Sequence, residues 1–79
     1  MTNEEKYINV FVETFDVDAS EVLGLKFNSI PEWDSVGHMR LAAAIEDAFD
    51  IMFETEDTID LSSYEKGKEI LANNYDIKF

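Results

Sequence analysis

The sequence predicts an all-α fold, a small antiparallel bundle of three main helices plus a short third helix. Three observations carry that expectation. Apolar residues recur at spacings of three and four in separate stretches. Thr2/Glu5 and Ser62/Glu65 have the S/T-x-x-E spacing of helix-opening capping boxes. No stretch alternates apolar and polar residues as a half-buried strand would. The 79 residues give room for one small domain, expected over 1–79. A core of this size gives a narrow stability margin, which many small domains supplement with disulfides or metal. This chain has no cysteine and a single histidine, His38, so the fold must rest on apolar packing, which 46% hydrophobic content makes feasible.

The first helix is expected over about 3–15, with Thr2 and Glu5 as its capping box and Tyr7, Ile8, Phe11, Val12 and Phe15 as its apolar face. A long loop, 16–34, follows. Within it Ser20 to Leu23 suits a short turn and Gly24 a stop, and the only proline, Pro31, marks irregular chain. Val22, Leu23, Leu25, Phe27 and Ile30 are too apolar for free solvent, so the loop is expected to pack on the helices. The second helix should span about 35–49, with Asp34 or Ser35 as N-cap, and end near Asp50. A short third helix is expected over about 56–61, capped by Thr55. The last, over about 63–74, carries the stripe Tyr64, Gly67, Ile70, Leu71 and Tyr75, with Asn73 and Asn74 as its stop.

Charge narrows the function classes. Eighteen acidic and six basic residues give a net charge of −12. Nucleic-acid binding needs clustered Lys and Arg to neutralise phosphate, and anionic membranes need the same, so neither partner is expected. No run approaches the roughly 20 apolar residues of a membrane span, and the acidic start "MTNEEKYINV" lacks the features of a signal peptide, so a cytoplasmic monomer is expected. An acidic surface serves solubility, and it also steers a protein toward basic patches on partner proteins.

The second helix has apolar residues on two sides. At 100° per residue, His38, Leu41, Ala42, Ile45, Ala48 and Phe49 gather on one side, the expected core face. Val36, Met39 and Ala43 gather on the other, beside Arg40 and Asp47. Isolated exposed apolar residues are ordinary. A small apolar centre with a charged rim, starting one residue after Ser35, fits a docking patch better.

Ser35 itself lacks the setting of a nucleophile. Such a serine needs a base and a group that orients the base. His38, three residues on, is the only histidine, and the G-x-S-x-G pattern is absent. No catalytic role is expected. Calcium binding by "DVDASEVLGLKF" fails as well, because Glu21 stands where the loop needs glycine and Phe27 where it needs glutamate. Capping is the plain role for Ser35. A helix N-terminus also favours a covalently attached phosphate, through its free N–H groups and its dipole.

Asp34-Ser35-Val36, followed by a helix carrying Glu46, Asp47 and Phe49 and then Asp50 and Ile51, resembles the acyl carrier proteins, and the order of helices is similar over nearly the whole chain. The resemblance implies a non-enzymatic carrier. Ser35 would receive 4′-phosphopantetheine from coenzyme A, attached by a separate phosphopantetheinyl transferase and supported by Asp34. The arm's thiol would hold acyl groups as thioesters. An acyl- or aminoacyl-activating ligase and downstream synthases or transferases would then be partners. They would meet Val36, Met39, Arg40, Ala43, Glu46 and Asp47. Leu41, Ile45, Phe49, Ile59, Leu61 and Ile70 would line any interior shelter for an acyl chain. Related readings are an aminoacyl carrier of the D-alanyl or peptidyl kind, and an unmodified carrier-like adaptor. Gly37, Arg40 and Leu41 stand where fatty-acid carriers are commonly acidic, and Trp33 also departs from that type. These departures suit a specialised free-standing carrier in a natural-product, lipid or surface-glycan pathway.

Overall fold

The computed structural model describes residues 1–79 and is all-helical: α1 (Asn3–Phe15), α2 (Ala19–Val22), α3 (Ser35–Phe49), α4 (Thr55–Asp60) and α5 (Tyr64–Asn74). No helix is long and apolar enough to cross a membrane. α1 starts on the expected capping box: the Thr2 hydroxyl accepts the Glu5 N–H at 3.1 Å, and the Glu5 carboxylate accepts the Thr2 N–H at 2.9 Å. The bond from the Thr2 N–H, the foremost cause, holds the Glu5 carboxyl below its ordinary value. α1 and α3 both end on an aspartate in the left-handed conformation, Asp16 (φ 56°) and Asp50 (φ 55°). Aspartate tolerates that region because its short side chain bonds locally.

α1 packs chiefly on α3, α2 lies on α1, and α4 lies on α5. Tyr7, Val10, Phe11 and Phe15 are the buried residues of α1, while Ile8 and Val12 are half-buried. The buried face is therefore rotated from the expected one toward Val10. The rings form one array: Phe11 meets Tyr7, Phe15, Trp33 and Tyr64 edge-on at centroid distances of 5.0–6.1 Å. Tyr7 stacks on Tyr64 at 4.8 Å. Such pairs add about 0.5–1.5 kcal/mol each beyond their buried area, which matters in a chain without disulfides. Gly67 of α5 permits the arrangement, because a Cβ there would run into the Tyr7 hydroxyl and Leu61.

The long connection is more structured than a loop. The suggested turn at Ser20–Leu23 is a one-turn helix displaced to Ala19–Val22. Val22 and Leu25 are buried, but Leu23 and Phe27 are exposed, so only part of the expected apolar set packs inward. The connection then pairs with the entry to α5: the Phe27 N–H reaches the Ser62 carbonyl at 2.9 Å, and the Tyr64 N–H reaches the Leu25 carbonyl at 3.0 Å. This pairing corrects the last cap. With the Ser62 backbone engaged by Phe27, the helix opens one residue later, and Ser63 Oγ accepts the Lys66 N–H at 2.9 Å. The Ser62/Glu65 box does not form.

Two further ends differ from expectation. α4 starts at Thr55, whose N-cap is Glu54 without a side-chain bond, so Thr55 is no cap. Asn73 and Asn74 stay helical; Tyr75 is the cap residue and Asp76 takes the left-handed conformation. None of the residues of α4 is buried. The helix is moored instead by polar contacts: the Tyr75 hydroxyl donates to Asp57 Oδ2 and accepts the Glu54 N–H, each at 2.7 Å.

The tyrosines make the fold sensitive to alkali. Burial pushes the Tyr7 phenol far up, with the Tyr64 ring adding to it, and the Tyr7 hydroxyl donates to the Tyr64 carbonyl at 2.7 Å. Burial also raises Tyr64 and Tyr75, the latter helped by its bond to Asp57. Raised folded values mean that this contribution is fully present below the ordinary tyrosine value of 10.0 and is lost as pH rises above it. Denaturant midpoints should fall above that pH, less steeply in Tyr7→Phe, and the tyrosinate absorbance that Tyr7→Phe removes should appear only with unfolding. Free titration of all three tyrosines in the folded protein would contradict this.

Candidate functional site

The site is the start of α3 and the chain that leads into it. Asp34 is the N-cap: its Oδ1 accepts the Gly37 N–H at 2.8 Å and its carbonyl accepts the His38 N–H at 2.8 Å. Ser35 is thus the first helical residue rather than the cap. It is exposed, and its hydroxyl makes no hydrogen bond within the protein. The Ser35 and Val36 N–H groups belong to the first turn, where a helix offers no internal acceptor, and no side chain fills that role. The result is an accessible hydroxyl beside two free donors at the positive end of a 15-residue helix.

Gly37 explains one oddity of the sequence. A Cβ at this position would collide with the backbone carbonyl of Glu32 and would meet the Phe15 ring at 3.3 Å. The connection crosses directly over the first turn of α3, so any side chain at 37 is excluded, acidic ones included.

Trp33, fully buried, is the reason the connection lies there. Its ring stacks on Phe15 at 5.3 Å and meets Phe11 edge-on at 5.7 Å. Its N–H donates to His38 Nδ1 at 3.1 Å. Indole is only a donor, so Nδ1 is the acceptor and the neutral ring carries its proton on Nε2. That proton is donated to the Thr58 carbonyl of α4 at 2.7 Å. Both ring nitrogens are thereby committed, and no Ser35–His38 bond exists. A shallow apolar recess of about 240 Å³ lies beyond the imidazole, lined by Phe27, His38, Ile59, Leu61 and Ser62.

The residues expected to form a docking face divide into two sets. Val36 (69% exposed), Met39 (61%), Ala43 and Asp47 run along the outward side of α3. Arg40 is exposed but leans toward the C-terminal end of α1, its Nη2 3.5 Å from the Thr14 carbonyl. Glu46 is half-buried, and its carboxylate accepts the Phe53 N–H at 2.7 Å. It anchors the chain leaving α3 rather than standing free on the surface. Of the residues suggested to line an interior shelter, Leu41, Ile45, Leu61 and Ile70 are buried and Phe49 is half-buried. Ile59 is 73% exposed at the lip of the recess, because α4 lies on the bundle rather than in it.

Trp33, Thr58 and Phe27 were not read from the sequence as parts of this site. The available signal was chemical: a buried tryptophan needs an acceptor for its N–H, and His38 lies within the next helical turn. The partner at Thr58 comes from α4, 20 residues away, and had no local signal. Compared with known proteins, the chain matches no family model, no curated protein and no solved structure.

Two substitutions test this geometry. An exposed Gly→Ala change inside a helix ordinarily stabilises by about 1 kcal/mol. Gly37→Ala should instead destabilise by about 1–3 kcal/mol through overpacking, as measured by urea denaturation. A more stable Gly37→Ala would mean that the connection does not lie against α3. Asp34→Ala should lose about 1 kcal/mol with the cap, while Asp34→Asn should stay within a few tenths of wild type. Equal losses in the two variants would place the role of Asp34 outside capping.

Proposed function

We propose that this protein is an acyl carrier, with Ser35 as the attachment point of a 4′-phosphopantetheine arm. The observation that carries the reading is the state of Ser35: an exposed, unbonded hydroxyl as first residue of α3, beside free N–H groups and without a base. An anion attached there would receive the Ser35 and Val36 N–H groups and the helix dipole. The Asp34 carboxylate is turned to Gly37 and leaves the approach open. These features fit a phosphodiester on this side chain.

In the attachment step Ser35 Oγ forms a bond to the pantetheine-side phosphorus of coenzyme A. The phosphoanhydride bond to the adenosine bisphosphate half breaks, and the hydroxyl proton passes to a base on the transferase. The activating chemistry thus belongs to the partner, which accounts for a serine without a base of its own. Once attached, the arm's thiol supplies the thioester chemistry of which a cysteine-free chain is incapable. The exposed Val36–Met39–Ala43 stripe, set in a chain of net charge −12, is suited to basic partner enzymes: the transferase, a ligase that loads the arm, and enzymes that use the cargo.

The test is intact mass after incubation with coenzyme A and a broad-specificity phosphopantetheinyl transferase. The expected outcome is one phosphopantetheine adduct, absent in Ser35→Ala. Lack of an adduct with several transferases would sink the carrier reading and favour an unmodified adaptor.

A further inference from the structure

We propose that His38 decides which cargo this carrier tolerates, by closing the interior behind Ser35 so that only short or polar acyl groups, held at the surface, are suited to it. This inference rests on Ser35 being the attachment point. The space behind the first turn of α3 is filled. The Trp33 indole is fully buried between Phe15 and Phe11, with Leu41 and Ile45 of α3 fully buried as well. The imidazole of His38 lies nearly parallel to that indole, 16° between planes, and Phe27 meets it edge-on at 5.5 Å.

Two hydrogen bonds hold the ring in place, one from Trp33 and one to the Thr58 carbonyl. His38 therefore ties three parts of the chain together at one point: the connection, α3 and α4. A chain entering the bundle from Ser35 would have to part α4 from α3 at that point and leave a buried indole N–H without an acceptor. Leaving such a donor unpaired is unfavourable.

Outside the lock, the recess of about 240 Å³ has His38 as one wall and the exposed Ile59 on its lip. Pockets that enclose a ligand are larger, on the order of 300–1,000 Å³. The recess has room to rest a short apolar group and no depth for a long one.

The experiment loads the full chain with acetyl or decanoyl arms, using the matching acyl-coenzyme A and transferase, and measures thioester cleavage by hydroxylamine. Wild type should release both cargoes at the same rate. His38→Ala should release decanoyl more slowly than acetyl, because each methylene it shelters shifts the balance toward the protected form about fourfold. His38→Gln should behave like wild type, since its amide offers an acceptor and a donor, whereas His38→Leu, which fills the space without either bond, should behave like His38→Ala. Decanoyl already protected in wild type, or no chain-length effect in His38→Ala, would overturn the proposal. If His38→Ala does not fold, the wild-type comparison decides it: equal release of the two cargoes supports the proposal, and slower release of decanoyl overturns it. Failure to form any adduct overturns the carrier reading along with this one, whereas an adduct with a sheltered decanoyl chain overturns this one alone.

Discussion

The buried indole of Trp33 is the constraint on which the rest of the structure depends. It precedes the cap of α3 and is fully withdrawn from solvent, so the chain on either side of it has little freedom. Truncating a buried tryptophan costs about 3–5 kcal/mol, against a total stability of about 5–15 kcal/mol for a domain. Its position brings the Glu32 carbonyl onto α3 and leaves glycine as the only residue that fits at 37. Its N–H fixes the tautomer of His38, and through His38 the position of α4. The run Trp33-Asp34-Ser35-Val36-Gly37-His38 is one packing unit, with Asp34, Ser35 and Val36 the members left exposed.

That division frees the outward side of α3 from structural duty. Gly37, Leu41, Ala42 and Ile45 face inward and satisfy the core. Val36, Met39 and Ala43 contribute nothing to it. Charged groups are sorted in the same way. Glu46 and Arg40 turn toward backbone groups of neighbouring segments, while Asp47 makes no such bond. The outward stripe of α3 is therefore smaller and more apolar than a helical wheel alone suggests.

Much of this was legible in the sequence wherever the signal was local and periodic. The spans of α1 and α3, the two sides of α3 and the Thr2 capping box all follow from spacing along a single helix. What was not legible depended on contacts between distant segments. The cap of α5 moved from Ser62 to Ser63 because Phe27 takes the Ser62 backbone, and α1 buries Val10 where spacing alone placed Ile8 and Val12. Ile59 faces solvent because α4 lies outside the core. Around Ser35, the cap and the exposed hydroxyl could be read from Asp34-Ser35, whereas the need for Gly37 requires knowing where Glu32 passes. The order of difficulty is physical: a helix face is decided within four residues, while a close approach is decided by the whole chain.

α4 shows what it means to attach an element by polar contacts alone. None of its residues is buried, and its moorings are the Tyr75 hydroxyl at Glu54 and Asp57, the Asn74 amide at Asp57 and the Thr58–His38 bond. Detaching it would uncover little apolar surface, so the free energy of that local opening lies well below that of global unfolding. The molecule thus has two levels of stability. Amide protons in α4 would exchange with solvent through partial openings, while those of α1 and α3 would wait for the core to come apart.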